Sequence, residues 1–421
     1  MELNIVGENL IRVEALSKVT GKAIYPQDVY LDNMLYGKTL RSTIAHGYIT
    51  VDTSEAEKID GVVKIFTSKD VASNCHGVVF KDQEVFTSKK VKRIGDPIAL
   101  VIAEDEKICS LALQKIKVNY EKIEGIFDPI EAMKDDAPKI HDGSNVFYHY
   151  KLRKGNIKKG FEESYVIAEN TYKTHMVDHA FLQPEAGVSF IDENGRLAVI
   201  TATQYPHYDR EEIAHTLKIP EESIRVINAN VGGAFGGRED ITLQIHLALA
   251  AHTLKRPVKI VYSREESFYA HCKRHPITMK YRTGADKNGK LLALEAEIIG
   301  DSGAYASWAT NVLRKSGVHA TGPYYIPNVK IDAYAVYTNN PFTGAMRGFG
   351  ATQVSVAYEQ QMDILAEKLG IDPIDMRIKN IFKKGSETAT GQILTEGVPI
   401  KECLEKVVNA ITYYPVREGA N

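Results

Sequence analysis

The sequence has few cysteines, and their spacing does not suit a metal cluster. Among 421 residues there are four, Cys75, Cys109, Cys272 and Cys403, and no two form a Cys-x-x-Cys pair. This spacing argues against a disulfide framework and against an iron–sulfur or zinc site held by this chain. We therefore expect a reducing compartment, the cytoplasm, and we predict that each cysteine is a small buried apolar residue.

Long apolar runs and a surplus of one charge are also missing. No stretch approaches the roughly 20 apolar residues of a membrane helix, and the first residues show neither the basic segment nor the apolar core of a signal peptide. The 52 basic and 54 acidic residues give a net charge of −2, which indicates no binding surface for nucleic acid or an anionic membrane. The chain is long enough to form two or more domains.

One glycine-rich stretch matches neither of the common nucleotide-binding motifs. Residues 231–240, VGGAFGGRED, hold four glycines within six positions. The spacing is not Gly-x-Gly-x-x-Gly and no Gly-Lys-Ser/Thr ends it, so neither a Rossmann turn nor a P-loop is supported. A β-branched run precedes the stretch and a helical pattern starts at Glu239, which predicts a strand, a glycine loop and a helix. Such a loop lets a ligand approach the backbone closely, and the helix N-terminus suits an anion or oxo group.

A second glycine loop occurs at residues 344–353, GAMRGFGATQ. It precedes a long helix that we predict over residues 352–369, with Gly370 as its C-terminal stop. Together, GGAFGGRE and AMRGFGATQ resemble the molybdenum-binding subunit of the xanthine dehydrogenase and aldehyde oxidase family, and the resemblance covers essentially the whole chain. Since each helix follows a glycine loop, both helix N-termini are expected to point at one bound group.

The resemblance implies an α+β protein with two domains and a linker. Residues 1–125 are predicted to form a mixed α/β unit like the family's N-terminal hammerhead domain, which the segment KVTGKA at residues 18–23 resembles. Residues 126–160 have no sustained periodicity and are predicted to form a surface linker. Residues 161–421 are then expected to form the first molybdenum cofactor-binding domain, a mixed α+β domain with a hairpin around the Asn-Gly at 288–289.

The resemblance implies molybdenum held by the dithiolene of a molybdopterin, of which the cytosine dinucleotide is one form, with no side chain of the protein ligating the metal. Gln204 and Glu239 are assigned catalytic roles; a strand-end glutamine bonded to backbone is the structural alternative for the first. The residues expected to bind the cofactor are Gln204, Gly233, Phe235, Gly236, Arg347 and Gly348. The Gly236 N–H is expected near an oxo group. His175, His179 and Glu185 are typical metal-ligand types, but we predict structural roles for them.

Three positions are expected to contact the substrate. Xanthine-type members of the family carry a glutamate at the position of Glu239, whereas aldehyde oxidases often carry an apolar residue there; the structural alternative is that Glu239 complements the helix dipole. Phe349 resembles the aromatic residue that packs on a flat substrate. Lys315, which we place on a strand after Arg314, stands where xanthine-type enzymes carry an arginine. Because an ammonium does not replace a planar donor, the particular heterocycle stays open between the purine and nicotinate types.

The implied function is hydroxylation of an N-heteroaromatic substrate, with water as the oxygen source and electrons passing to iron–sulfur and FAD subunits. The family's catalytic base is a glutamate in a Gly-x-Gly-Glu context, and no such motif occurs near the end of the sequence. The base is therefore expected on a second molybdopterin subunit, as in the split nicotinate dehydrogenases of the family. Two alternatives remain: an aldehyde oxidoreductase, against which Glu239 argues, and a non-catalytic pterin-binding scaffold.

We predict that this chain, produced alone with the molybdenum cofactor supplied, is poorly soluble and does not turn over a heterocycle. It would lack the base, and half of the cofactor pocket would be exposed apolar surface. Turnover of hypoxanthine, xanthine and nicotinate should be compared between the isolated chain and the co-purified complex. Activity of the chain alone would contradict a shared active site.

Overall fold

The computed structural model describes residues 5–413, with side chains described up to residue 411. These residues fall into two compact units. The first contains the residues up to Ile123 together with His179–His271, and the second contains Glu124–Asp178 together with the residues from Cys272 onward. The chain therefore leaves the first unit, returns to it and leaves it again.

Strands and helices alternate irregularly along the described residues. In chain order the strands are β1 Leu35–Arg41, β2 Gly47–Asp52, β3 Val62–Phe66, β4 Cys75–His76, β5 Gln83–Glu84, β6 Lys90–Val91, β7 Pro97–Ala103, β8 Lys117–Lys122, β9 Val146–Lys154, β10 Val166–Lys173, β11 Ala186–Ile191, β12 Leu197–Thr201, β13 Ile224–Asn228, β14 Val258–Val261, β15 Ile277–Ala285, β16 Leu291–Gly303 and β17 Asn328–Tyr337. The helices are α1 Ala15–Val19, α2 Glu106–Leu113, α3 Pro129–Ala132, α4 Ile157–Glu162, α5 Pro206–Leu217, α6 Gln244–Leu254, α7 Arg264–Ala270, α8 Ala309–His319, α9 Ala351–Leu369, α10 Pro373–Asn380 and α11 Ile400–Tyr413.

The first unit is built on a seven-stranded sheet with the order β13-β12-β11-β14-β1-β7-β3. Strand β1 joins two distant stretches of chain, because it pairs parallel with β14, where Leu35 lies opposite Val258, and antiparallel with β7, where Gly37 lies opposite Ile102. Every residue of β7 is buried, which explains its continuous apolar sequence. One sheet thus contains both the hammerhead-like residues and β11 to β14. Residues 161–421, which were predicted to form one domain, are therefore divided between the two units.

Helix α6 packs against this sheet and is buried from Gln244 to Ala251. It contacts β11 so closely that a Cβ on Gly187 would lie 2.5 Å from Leu247 Cδ1. The prediction that this helix begins at Glu239 is wrong. The helix begins at Gln244, whose side-chain oxygen accepts the N–H groups of Thr242 at 2.8 Å and Leu243 at 3.0 Å. These two backbone N–H groups are therefore already hydrogen-bonded within the chain.

The second unit contains a five-stranded sheet with the order β10-β15-β16-β17-β9. Its apolar core includes buried side chains from the sheet and from helices α8 and α9, among them Met279, Ile298, Leu313 and Leu365. Helix α9 is the predicted long helix, and it ends at Gly370, whose φ of 65° gives the left-handed C-cap. The predicted hairpin is confirmed as β15 paired with β16.

The stretch predicted to be a linker contains α3, β9 and the start of α4. Strand β9 pairs with β17 over most of its length, with Lys154 opposite Val329 and Val146 opposite Val336. It lies at the edge of the sheet and most of its residues are only half-buried. Its sequence, VFYHYKLRK, is rich in aromatic and apolar residues that suit a strand, but the Asp, Lys, Gly and Asn residues of the surrounding stretch lead to the prediction of a linker.

The prediction that the cysteines are buried is confirmed only in part. The four cysteines are free; Cys109 and Cys272 are buried as predicted, whereas Cys75 is half-buried and Cys403 is exposed. No helix in the described part of the chain is both long and apolar enough to cross a membrane.

Candidate active site

The first glycine loop adopts left-handed backbone at three positions. The φ angles are 112° at Gly233, 54° at Phe235 and 102° at Gly236. The value at Phe235 matters most, because a residue with a side chain in this region costs about 1–3 kcal/mol and persists only where its surroundings fix it. Phe235 is 50% exposed, so the loop presents an aromatic residue on its surface.

Arg238 holds this loop from its buried side. Its guanidinium donates to three backbone carbonyls: Gly233 at 3.0 Å, Ala202 at 3.3 Å and Gln183 at 2.6 Å. It also lies over the Phe181 ring, 4.3 Å from the centroid. A planar, forked donor can satisfy three carbonyls at once, so this arginine ties the glycine loop to the two neighbouring segments.

Gln204 is oriented by the same loop. Its side-chain oxygen accepts the N–H groups of Gly236 at 3.0 Å and Arg238 at 3.3 Å. The amide NH2 group therefore faces the other way, with its nitrogen 3.5 Å from Glu239 Oε1, the long limit of a hydrogen bond. The Gly236 N–H is therefore engaged by Gln204, and the side-chain donor beside the loop is the Gln204 NH2 group.

Glu239 is half-buried beside this amide. Burial raises the pKa of its carboxyl to about 7, and the charge of Asp240 acts in the same direction. Near neutral pH the carboxyl therefore exists in both forms, one able to donate and the other only to accept. Since α6 begins at Gln244, Glu239 lies outside the first turn of that helix, and the helix-dipole alternative loses its support.

In the second unit, the other glycine loop has three consecutive left-handed residues, with φ of 99° at Gly348, 52° at Phe349 and 97° at Gly350. The Phe349 ring meets Trp308 edge to face, with centroids 6.0 Å apart. Lys315 Nζ lies 5.9 Å from the centroid of the Phe349 ring. The structure thus brings together the aromatic and the cation that were predicted to contact the substrate.

The strand predicted for Arg314 and Lys315 is wrong, because both lie on helix α8. Neighbouring positions on a helix differ by about 100° around its axis. Lys315 is half-buried near Phe349, whereas Arg314 is exposed. Arg347 is also exposed, and its carbonyl accepts a hydrogen bond from Arg274 at 2.9 Å.

The residues singled out as possible metal ligands do not all lie together. His175 is exposed, whereas His179 and Glu185 are buried. Both buried residues lie beside His271: Glu185 pairs with it at 2.9 Å, and the centroid of the His179 ring lies 5.6 Å from that of the His271 ring. In the described part of the chain, no group of three or more His, Cys, Asp and Glu side chains is placed to hold a metal ion. The donors near Gln204 are amides and one carboxyl, which fit a cofactor that brings its own metal ligands.

Sequence reasoning misses the roles of Arg238 and Arg274. By charge alone, Arg238 is equivalent to a lysine, yet its three carbonyl contacts depend on the shape of its guanidinium. No motif in the sequence points to Arg274. A signal exists only for Arg238, which directly follows the last glycine of its loop.

The fold and the two loops define a molybdopterin-binding chain. Residues 140–381 match the family described as "Molybdopterin cofactor-binding domain", and residues 20–124 match "Aldehyde oxidase and xanthine dehydrogenase, a/b hammerhead domain". The chain belongs to the xanthine dehydrogenase and aldehyde oxidase family of molybdenum-dependent oxidoreductases.

Several relatives and solved structures are similar over most of this chain. It is 44% identical over 407 residues to the nicotinate dehydrogenase large molybdopterin subunit of Eubacterium barkeri, covering 96% of each chain. It is 40% identical over 375 residues to a probable xanthine dehydrogenase subunit of Bacillus subtilis, covering 89% of this chain and 50% of that one. Aldehyde oxidoreductase from Desulfovibrio gigas matches with a TM-score of 0.91 and 29% identity over 96% of this chain and 46% of its own. The chain thus spans nearly all of the first relative and about half of the other two.

We predict that Arg238→Lys lowers both the thermal unfolding midpoint and the molybdenum content of the purified complex. A lysine satisfies one or two of the three carbonyls, and each buried carbonyl left without a donor costs about 1–3 kcal/mol. Arg225→Lys on β13 is the matched control, because Arg225 is exposed. Full metal loading and an unchanged midpoint in Arg238→Lys would show that the shape of the guanidinium is unimportant here.

Proposed function

We propose that this chain is the molybdenum-binding part of an enzyme that hydroxylates a carboxylated N-heteroaromatic compound of the nicotinate type, with water as the oxygen source. The observation that carries this proposal is the pairing of Gln204 with Glu239, an oriented amide donor 3.5 Å from a carboxyl whose pKa is raised to about 7. The 44% identity to a nicotinate dehydrogenase subunit supports the substrate type.

The bound molybdenum cofactor supplies the two-electron oxidation and the transfer of oxygen to carbon. This chain holds and orients that cofactor with its loops and with the Gln204 amide. The residues assigned to this task are Gln204, Gly233, Phe235, Gly236, Arg347 and Gly348. Gln204 suits the role because its oxygen is already occupied by two backbone N–H groups, so its NH2 group is preorganised as a donor.

Glu239 is proposed to read the heterocycle. When protonated, the carboxyl donates to a ring nitrogen or carbonyl, and when ionised it accepts from a ring N–H. A simple aldehyde has no ring nitrogen or ring N–H, and its one carbonyl is the group that reacts, so it leaves the half-buried carboxyl without a substrate partner, at a cost of about 1–3 kcal/mol. This cost is the reason for preferring a heterocycle substrate over the aldehyde alternative, to which the similarity with aldehyde oxidoreductase structures would otherwise point.

Phe349 and Lys315 are proposed to bind a flat, anionic ring. The Phe349 face suits stacking against a planar heterocycle, and the Lys315 ammonium, 5.9 Å from that ring, suits a carboxylate. An ammonium is a point charge that pairs with a carboxylate without needing two parallel hydrogen bonds. A neutral purine gains less from this cation, which makes the purine type the second candidate.

The remaining parts of the proposal concern other chains. A second molybdopterin subunit contributes the catalytic glutamate, and iron–sulfur and FAD subunits accept the electrons. The name of the Eubacterium barkeri relative, which specifies a large molybdopterin subunit, supports this division. The cytoplasm is the proposed location, since the four cysteines are free.

We expect Glu239→Val, tested in the purified complex, to reduce kcat/KM for nicotinate and xanthine by about 10–100-fold and to raise it for benzaldehyde. Valine removes the anchor for the ring and also the unpaired carboxyl that disfavours the aldehyde. The control is Glu222→Val, at an exposed position. An equal loss for all three substrates would mean that Glu239 supports the fold or the cofactor and does not read the substrate.

Lys315→Met is expected to raise KM for nicotinate about tenfold or more, with a much smaller effect on hypoxanthine, which lacks a carboxylate. Arg314→Met is the adjacent control, because Arg314 is exposed on the same helix. Steady-state kinetics of both variants with nicotinate and with hypoxanthine distinguishes the nicotinate type of substrate from the purine type. A similar KM change for hypoxanthine would reject Lys315 as a carboxylate anchor.

A further inference from the structure

We propose that Arg274 is a positioning residue that fixes the second glycine loop and, through it, the ring of Phe349. The proposed substrate role of Phe349 gives this contact its importance, but the contact itself is independent of that role. Arg274 lies in the same compact unit as the loop, and it approaches the loop from the segment that precedes β15.

The backbone of Arg274 is itself anchored. Its N–H donates to the Val177 carbonyl at 2.9 Å, in an isolated antiparallel bridge. Its side chain then makes two bonds: Nη1 donates to Thr352 Oγ1 at 2.8 Å and Nη2 donates to the Arg347 carbonyl at 2.9 Å. These acceptors stand on either side of the three left-handed residues, so one rigid, planar group spans the loop.

A second set of hydrogen bonds joins the segment of Arg274 to the start of helix α9, directly after the loop. Thr352 Oγ1, which accepts from Arg274, donates to Gln353 Oε1 at 2.9 Å. Gln353 Nε2 in turn donates to the His275 carbonyl at 3.2 Å. The chain Arg274–Thr352–Gln353–His275 is thus a closed ring of contacts around the start of α9, and each hydroxyl and amide in it has a defined direction.

The same segment also holds the chain before the loop. The Lys273 N–H donates to the Phe342 carbonyl at 3.0 Å, and the Gly344 N–H donates to the Lys273 carbonyl at 2.9 Å. Residues 273–275 therefore contact both ends of the loop. The Arg274 side chain reaches across it, and this side chain can be replaced without altering the backbone bonds.

The loop needs this support because of Phe349. Its φ of 52° is unfavourable for a residue with a side chain, and Gly350 next to it is closely packed, with a Cβ there 2.4 Å from the Val312 carbonyl oxygen. Without the bonds of Arg274, the backbone at Arg347 is free to relax towards ordinary angles. The ring of Phe349 then shifts relative to Trp308.

Trp308 provides a measurement that does not depend on activity. It is the single tryptophan of the chain, and its ring meets Phe349 edge to face at 6.0 Å. The difference in fluorescence between a complex and the same complex with Trp308→Phe isolates the emission of this residue. That difference spectrum reports the position of the Phe349 ring.

The variants are Arg274→Gln, Arg274→Lys and Thr352→Val, each in the purified complex. Arg282→Gln is the matched control, because Arg282 is also half-buried and lies over the Phe161 ring, 4.2 Å from its centroid. We expect Arg274→Gln and Thr352→Val to shift the Trp308 emission and to raise KM for nicotinate about 10–100-fold, with kcat per bound molybdenum changed less. Arg274→Lys, which keeps one donor, is expected to fall between wild type and Arg274→Gln.

The outcomes separate this proposal from the proposed function. Unchanged Trp308 emission in folded Arg274→Gln overturns the positioning role, whatever the kinetics show. If Arg274→Gln does not fold, Thr352→Val decides in the same way, because it removes one acceptor and keeps the side-chain volume. Shifted emission with unchanged KM supports the positioning of Phe349 by Arg274 and contradicts a substrate role for that ring.

Discussion

Both glycine loops depend on one constraint, which is that an aromatic residue must be held in left-handed backbone. Phe235 and Phe349 have φ of 54° and 52°, a conformation that glycine adopts freely and that residues with side chains adopt at a cost. The glycines around them make the turn, but they do not select it, since glycine permits many alternatives. Selection comes from arginine side chains that donate to backbone carbonyls, Arg238 at the first loop and Arg274 at the second.

The first loop also shows why a neutral amide suits the position of Gln204. Its oxygen accepts two backbone N–H groups while its nitrogen faces Glu239. A carboxylate in its place would accept from the same amides but would present a second negative group to Glu239 and no donor. The amide therefore links the backbone of the loop to a carboxyl whose pKa lies close to neutral, and it does so without adding charge.

The sequence is informative wherever structure follows from local pattern. The glycine loops, helix α9 with its stop at Gly370 and the hairpin of β15 and β16 are all predictable from turn residues and periodicity. The start of α6 is not, because it depends on one side chain, Gln244, that bonds back to two amides. Strand β9 is missed although Val146, Tyr148, Tyr150 and Leu152 alternate along it, because the polar and glycine residues on either side dominate the composition of the stretch. The contacts of Arg274 join segments far apart in the chain, and no local pattern encodes them.

The interior position of β1 in the seven-stranded sheet, between β14 and β7, has a consequence for how the chain is made. Its neighbour β14 is encoded far downstream, so β1 leaves the ribosome long before the strand that covers one of its edges. At the usual speed of translation, about 5–20 residues per second, that edge waits on the order of ten seconds or more. An unpaired strand edge can pair with other nascent chains. Protection by a chaperone is therefore most important in the interval before β14 emerges.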